Sequence, residues 1–259
     1  MGEMSTECDV LTRSLTPLPL MLELRKSSER DFARLDWLES RRTFSFAGYD
    51  DPDQQGFSDL LVINEDRVQP GAGFAAHNHR DMEILTVVLH GELEHRDSKA
   101  SGSVIRCGDV QMTSAGRGIQ HSEMNPSASE IVHFLQIWIV PQVKGLRPHY
   151  QQAHFDEAQK RGRLHLIVSP DGAHGSLPVF QDLRAYAGLI DGDEAVALEF
   201  PNRRYAYVHV AGGSLEVNGV PMAAGDGARV RDEHRLDFSA GRSAEILVFD
   251  LRPNELPQR

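Results

Sequence analysis

His77 and His79 stand two residues apart in GAGFAAHNHRDMEI, and His121 and Glu123 stand two apart in SAGRGIQHSEMN. On a strand, residues i and i+2 share a face and lie about 7 Å apart along the backbone, so each pair can close on a single point. If the two strands are neighbours, three imidazoles and one carboxylate converge. That donor set suits Fe(II), Mn(II), Ni(II), Cu(II), Co(II) or Zn(II) and makes a poor calcium site, which wants oxygen ligands. A six-coordinate ion held this way keeps two positions open for substrate or oxygen. We therefore expect one divalent transition metal per chain, with Fe(II) the first choice. Glu83 shares the strand parity of His77 and His79, so spacing alone leaves open which glutamate is the fourth ligand.

Nine of the chain's 12 histidines lie outside these pairs: His90, His95, His133, His149, His154, His165, His174, His209 and His234. Each is read as a surface or satisfied core residue, the usual fate of a lone histidine. Phe44, Phe46, Phe74 and Met82 offer apolar walls for a site, though core packing is the commoner use of such side chains. Arg117, in the turn before His121, is placed to guide an anionic substrate or simply to face solvent.

The elements that must carry these pairs are short, β-branched and punctuated by glycine: LLVI (60–63), EILTVVLHGELEH (83–95), GSVIRCGDVQMTS (102–114) and IVHFLQIWIV (131–140). A second cluster follows in RYAYVHVAGGSLEV (204–217), GARVRD (227–232) and AEILVFDL (244–251). Both read as strands at barrel spacing. GELE (91–94) recurs as GSLE (213–216), CGDV (107–110) as AGDG (224–227), and EIVHFLQIWI (130–139) as AEILVFDL (244–251). Three matches in order, at a slowly shrinking offset, predict two β-barrels in tandem, the second with shorter loops. Counting along the repeat places Glu199 and Pro201 where the first copy has His77 and His79, and Phe238 and Ala240 where it has His121 and Glu123. The second barrel should hold no ion. The expected division is a disordered leader over 1–21, a metal-binding barrel over 22–140, a linker over 141–163 with a helical turn or two, and a metal-free barrel over 164–259.

Composition narrows the function classes. A formal net charge of −11, with no run of Lys or Arg, disfavours direct nucleic-acid binding. No apolar stretch is long enough for a membrane span, and the leader lacks the basic start and continuous apolar run of a signal peptide. Only two cysteines, Cys8 and Cys107, are present, so a reducing cytoplasm is the expected compartment.

The motifs also resemble a known family. Gly71 to Gly91 is similar to the first cupin motif: Gly71, five residues, His77, one residue, His79, three residues, Glu83, then Gly91. Gly108 to Asn125 is similar to the second. FSFAGYDDP (44–52), LLVINEDRVQPGAGFAAHNHRDMEI (60–84), GDVQMTSAGRGIQHSEMN (108–125) and RPHYQQ (147–152) resemble the pirins more closely, a bicupin family that includes flavonol-cleaving quercetin 2,3-dioxygenases. The resemblance implies an all-β fold of two tandem cupin (double-stranded β-helix, or jelly-roll) barrels. It takes Glu123 as the carboxylate ligand and leaves Glu83 a supporting part. It implies a flavonol such as quercetin as substrate, opened by dioxygen with release of carbon monoxide, and Glu123 as the proton acceptor. A second implication is of another class: a protein whose ion's redox state controls binding to a transcription factor or enzyme. A Lewis-acid isomerase or hydrolase on the same cage is a third.

Overall fold

The computed structural model describes residues 22–98, 102–200 and 204–255. The expected leader, Cys8 and Pro201 lie outside them. The first half carries β1 (Leu22–Arg25), β2 (Asp31–Arg34), β3 (Leu38–Arg42), β4 (Leu60–Val68), β5 (Gly73–His79) and β6 (Glu83–His90). It continues through β7 (Glu92–Asp97), β8 (Gly102–Arg106), β9 (Asp109–Ser114), β10 (Ile119–Met124), β11 (Val132–Ile139) and β12 (His149–His154). The short helix α1 (Glu157–Lys160) leads to β13 (Leu164–Ser169), β14 (Leu177–Pro178), β15 (Leu183–Ile190) and β16 (Val196–Glu199). The chain closes with β17 (Tyr205–Val217), β18 (Val220–Ala223), β19 (Gly227–Val230) and β20 (Arg235–Leu251). Among the described residues no helix is long and apolar enough to cross a membrane.

The first barrel is built from two sheets, ordered β12-β9-β6-β11-β4-β3-β2 and β5-β10-β7-β8. The second is one continuous sheet, β1-β19-β17-β20-β15-β13-β14, with β16 on β20 and β18 on β17. The difference follows from loop length. In the first copy Gly91, at φ 76°, ends β6 and starts β7, and residues 125–131 separate β10 from β11. In the second, β17 and β20 run through without those interruptions, so the two sheets fuse along them. The shrinking repeat offset is thus the loss of loops between strands.

One face of the first barrel's larger sheet lies against the second barrel. Leu85, Val87, Val110, Met112, Leu135 and Ile137 pack there on Ile167, Ala185, Ala187, Tyr207, Leu247 and Phe249. Strands covered on both faces need apolar residues at odd and even positions, which is why β6 and β11 read as near-continuous hydrophobic runs.

Two stretches differ from the sequence expectation. Leu22–Arg25 belongs to the second barrel's sheet, pairing with Gly227–Val230, while Leu22 and Leu24 pack on that barrel's core. The stretch expected as linker contains β12, which pairs with β9 from His149–Ser114 to His154–Asp109. An edge strand needs little apolar character, because its value is to satisfy the backbone groups that β9 would otherwise leave bare. Within residues 141–163 the helical turn is α1, started by an Asp156 capping box with Gln159.

Candidate metal centre

Strands β5 and β10 are antiparallel neighbours, with His77 directly opposite His121. They approach closely because Gly73 has no side chain: a Cβ there would collide with the Glu123 carbonyl oxygen and with Met124. A bulge between His121 and Glu123 shifts the register, so Glu123 pairs with Phe74. On its other side β10 pairs with β7, and Glu123 lies opposite His95. Beyond β10, Asn125 ends the strand by donating to Val68 O and Glu130 O while its Oδ1 accepts from Ser127 N.

The three imidazoles converge. Ring centroids are 4.8 Å apart for His77–His79, 4.5 Å for His77–His121 and 4.7 Å for His79–His121. The Nε2 atoms of His77 and His121 face each other at 3.0 Å, and His77 Nδ1 lies 2.8 Å from Ala75 O, its natural acceptor. That contact fixes the tautomer and leaves Nε2 free to ligate. The ligand atoms of His77, His79 and His121 all lie within 4.8 Å of one another. Glu123 falls in a second triad, with His121 and His95, under the same limit. The bulge therefore sets the carboxylate toward His121 and His95, not equally toward all three imidazoles.

Burial tunes these groups toward metal binding. It holds His79 down to about 4, with help from His77, and His121 down to about 2, with help from His79, His77 and His95. Both rings are neutral at physiological pH and present lone pairs. Burial pushes Glu123 up to about 7, and the hydrogen bond from Gln136 pulls it partway back. His79 Nε2, His121 Nδ1 and Glu123 Oε1 are buried without a hydrogen-bond partner. Each such atom costs about 1–3 kcal/mol if left bare. A cation held by His79 Nε2 and Glu123 Oε1 repays that cost at those two atoms, while His121 turns Nε2 and not Nδ1 toward His77; the donor set fits a divalent metal of the nitrogen-preferring kind.

Around the triads the sequence reading succeeds in part. Glu83 is not in the cluster: it starts β6, in the opposite sheet, where its carboxylate accepts from Ser114 Oγ at 2.7 Å. Burial raises it to about 7. Its parity with His79 is lost because the chain changes sheets at Arg80–Met82, with Asp81 at φ 49°. Phe44 is a core residue between the barrels, and Phe74 stacks edge-on to Trp37 at 5.2 Å. Phe46 touches the site's surroundings through Trp138 at 5.1 Å, which lies 4.8 Å from His79, and Phe74 is the strand partner of Glu123. Arg117 is exposed, its backbone N–H on Leu146 O.

His95 is the residue that sequence reasoning missed. It is fully buried, 5.0 Å from the His121 ring, with Nε2 3.8 Å from the Asp97 carboxylate. The available signal was its parity with buried Leu93 in GELEHRD, which puts His95 on the inward face.

Both halves of the chain are similar to known proteins. The Pirin family profile matches residues 24–139, and the profile of the quercetinase C-terminal cupin domain matches residues 166–251. A quercetin 2,3-dioxygenase of Escherichia coli (strain K12) is 43% identical over 233 residues, covering 90% of this chain and 100% of that one. The chain belongs to the pirin family. The crystal structure of YhhW from Escherichia coli superposes with a TM-score of 0.87 at 43% identity, covering 91% of this pirin and 100% of that chain. Bacterial pirin YhhW in complex with nickel(II) superposes with a TM-score of 0.86 at 42% identity, covering 90% and 100%. The two-barrel cupin fold expected from the repeats is the fold this pirin has.

Proposed function

We propose that this pirin is a metal-dependent dioxygenase of the quercetin 2,3-dioxygenase type, with the ion held by His77, His79, His121 and Glu123. The observation that carries this reading is a cluster of three imidazoles that shares His121 with a second group holding a buried carboxylate, whose Oε1 has no hydrogen-bond partner. Fe(II) is the first metal to test, because an all-imidazole and carboxylate cage suits oxygen chemistry. The nickel complex of the Escherichia coli pirin makes Ni(II) the next, ahead of Mn, Cu, Co and Zn. Bound there, the metal would supply Lewis acidity to a flavonol chelated through its 3-hydroxyl and 4-carbonyl oxygens and poise it for dioxygen.

The remaining work belongs to the chain. His79 and His121 stay neutral, and with His77 they fix the position of the ion. Glu123 would be the acceptor within the site for the 3-hydroxyl proton once its bond to the ion loosens. Trp138 and Phe46 form an apolar flank beside His79 on which a planar ring can rest.

The same reading assigns the second barrel a supporting part without metal. Phe238, which counting along the repeat assigns to the place of His121, is fully buried in that barrel's core, and Glu199 is exposed with Arg235 at 3.1 Å. The compartment we assign is a reducing cytoplasm. The deciding experiment loads the purified protein with Fe(II) or Ni(II) and follows oxygen uptake and carbon monoxide release with quercetin. Uptake that stops under chelator, and when the 3-hydroxyl is absent from the flavonol, supports the enzyme. No uptake at full metal occupancy, across several flavonols, hands the site to the partner-binding regulator instead.

A further inference from the structure

We propose that Gln136 and Trp138 form a two-step brace that turns Glu123 so that Oε1 faces the ion; the inference rests on reading Glu123 as a ligand. Both residues come from β11, in the sheet opposite the cage, and point to the same inward face two positions apart. Gln136 Nε2 donates to Glu123 Oε2 at 2.7 Å, and Trp138 Nε1 donates to Gln136 Oε1 at 3.0 Å.

The direction of this chain follows from chemistry alone. An indole N–H can only donate, so it must meet the amide oxygen of Gln136 and not its nitrogen. With the oxygen so engaged, the amide NH₂ is forced toward Glu123. A carboxylate that spends Oε2 on that donor has Oε1 left, and Oε1 is the buried atom without a partner. The brace therefore selects which oxygen is offered.

Trp138 is itself held on two sides. Phe46 meets its ring nearly edge-on, at 5.1 Å and 83°, and His79 does so at 4.8 Å and 88°. Phe46 is carried by a loop that Arg42 secures, donating to Phe46 O and Ala47 O at 3.0 Å each. One tryptophan thus touches one ligand through its ring and braces another through its N–H. Gln136 and Trp138 are positioning residues: they act on the ion through Glu123 and His79.

The test uses full-length protein and three variants, Gln136→Met, Trp138→Phe and the double. Ni(II) affinity is measured by competition with a chelator, and the coordination geometry by the visible absorption of the Co(II)-loaded protein. Gln136→Met keeps the length and removes the donor; it should weaken Ni(II) binding by about 10–100-fold and shift the Co(II) bands. Trp138→Phe keeps a ring beside His79 and removes the N–H, giving a smaller loss and a shift in the same direction. Because Trp138 works through Gln136, the double variant should bind no worse than Gln136→Met. Unchanged affinity and spectrum in Gln136→Met, or losses that simply add in the double variant, overturn the brace. Should Gln136→Met fail to fold, Trp138→Phe decides the matter, and an unaltered Co(II) spectrum there overturns it. Glu123→Gln is the control: if it retains normal Ni(II) affinity, the ligand reading falls and the brace with it. A normal response of Glu123 beside an unresponsive Gln136 removes the brace alone.

Discussion

The two barrels share one strand plan and fill it with opposite chemistry. In the first, Asn64, Gln136, Thr86 and Gln111 pair in a row across β4, β11, β6 and β9, facing the sheet that carries the cage. Asn64 Oδ1, Thr86 Oγ1 and His95 Nδ1 in this interior are buried without a hydrogen-bond partner. In the second, the corresponding interior is Ala206, Val208, Val210, Leu215, Val217, Phe238, Ile246 and Val248. Buried apolar area contributes about 25 cal/mol per Å², whereas each buried polar atom left bare costs about 1–3 kcal/mol. A barrel whose interior is polarised for an ion cannot also be the most apolar part of the molecule. The difference teaches why a barrel without ligands is retained: it packs for itself and covers the outer face of the barrel that binds.

The largest expected effect separates the two barrels outright. His121→Ala should take bound metal from one ion per chain to none and end quercetin turnover, with the apo protein still folded. At the equivalent place Phe238→Ala should leave metal stoichiometry at one and cost about 3–5 kcal/mol of stability through the cavity it opens. Metal analysis and denaturant unfolding on both variants check this. Metal loss in Phe238→Ala with intact folding would break the comparison.

Next come the two glutamates of the first barrel, both raised to about 7 by burial. Glu123→Gln should weaken Ni(II) binding by more than the ~10–100-fold typical of outer partners, and Glu83→Gln by less than that. A reversal would assign the carboxylate ligand to Glu83.

The pH dependence of metal binding should follow Glu123. Below its value near 7 the carboxyl holds a proton that the ion must displace. Affinity should therefore rise up to about tenfold per pH unit from pH 5.5 to 7 and flatten above. Calorimetry in buffers of different ionisation enthalpy counts the protons released, and a flat profile over that range would show that Glu123 is already ionised in the free protein.

The smallest effect concerns stability alone. Glu83 keeps its proton in the folded state up to about 7, against an ordinary value of 4.5. Its contribution is full below pH 4.5 and is lost as pH rises through 7, because the unfolded chain has by then released the proton that the native state still binds. Glu83→Gln should erase that slope, gaining roughly 1–3 kcal/mol relative to the parent between pH 5 and pH 8. Unfolding free energies at the two pH values give the answer.

The one-dimensional pattern determined more of the site than of its surroundings. Period-two spacing put His77 with His79 and His121 with Glu123 on shared faces, and the internal repeat located Phe238 opposite an absent ligand, because strand parity and repeat order are local properties of a chain. What parity cannot carry is a change of sheet. Glu83 is in phase with His79 by counting, yet the turn at Arg80–Met82 sends it across the barrel to Ser114. His95 is distant by counting, yet the β7–β10 pairing sets it opposite Glu123. The same reason hid the exchange of Leu22–Arg25 into the second barrel and the role of His149–His154 as an edge strand: both are pairings between segments far apart in the chain. Residue types supply the donors that suit an ion. The register between β5, β10 and β7, with one bulge, decided that three imidazoles meet closely while the carboxylate stands beside His121 and His95.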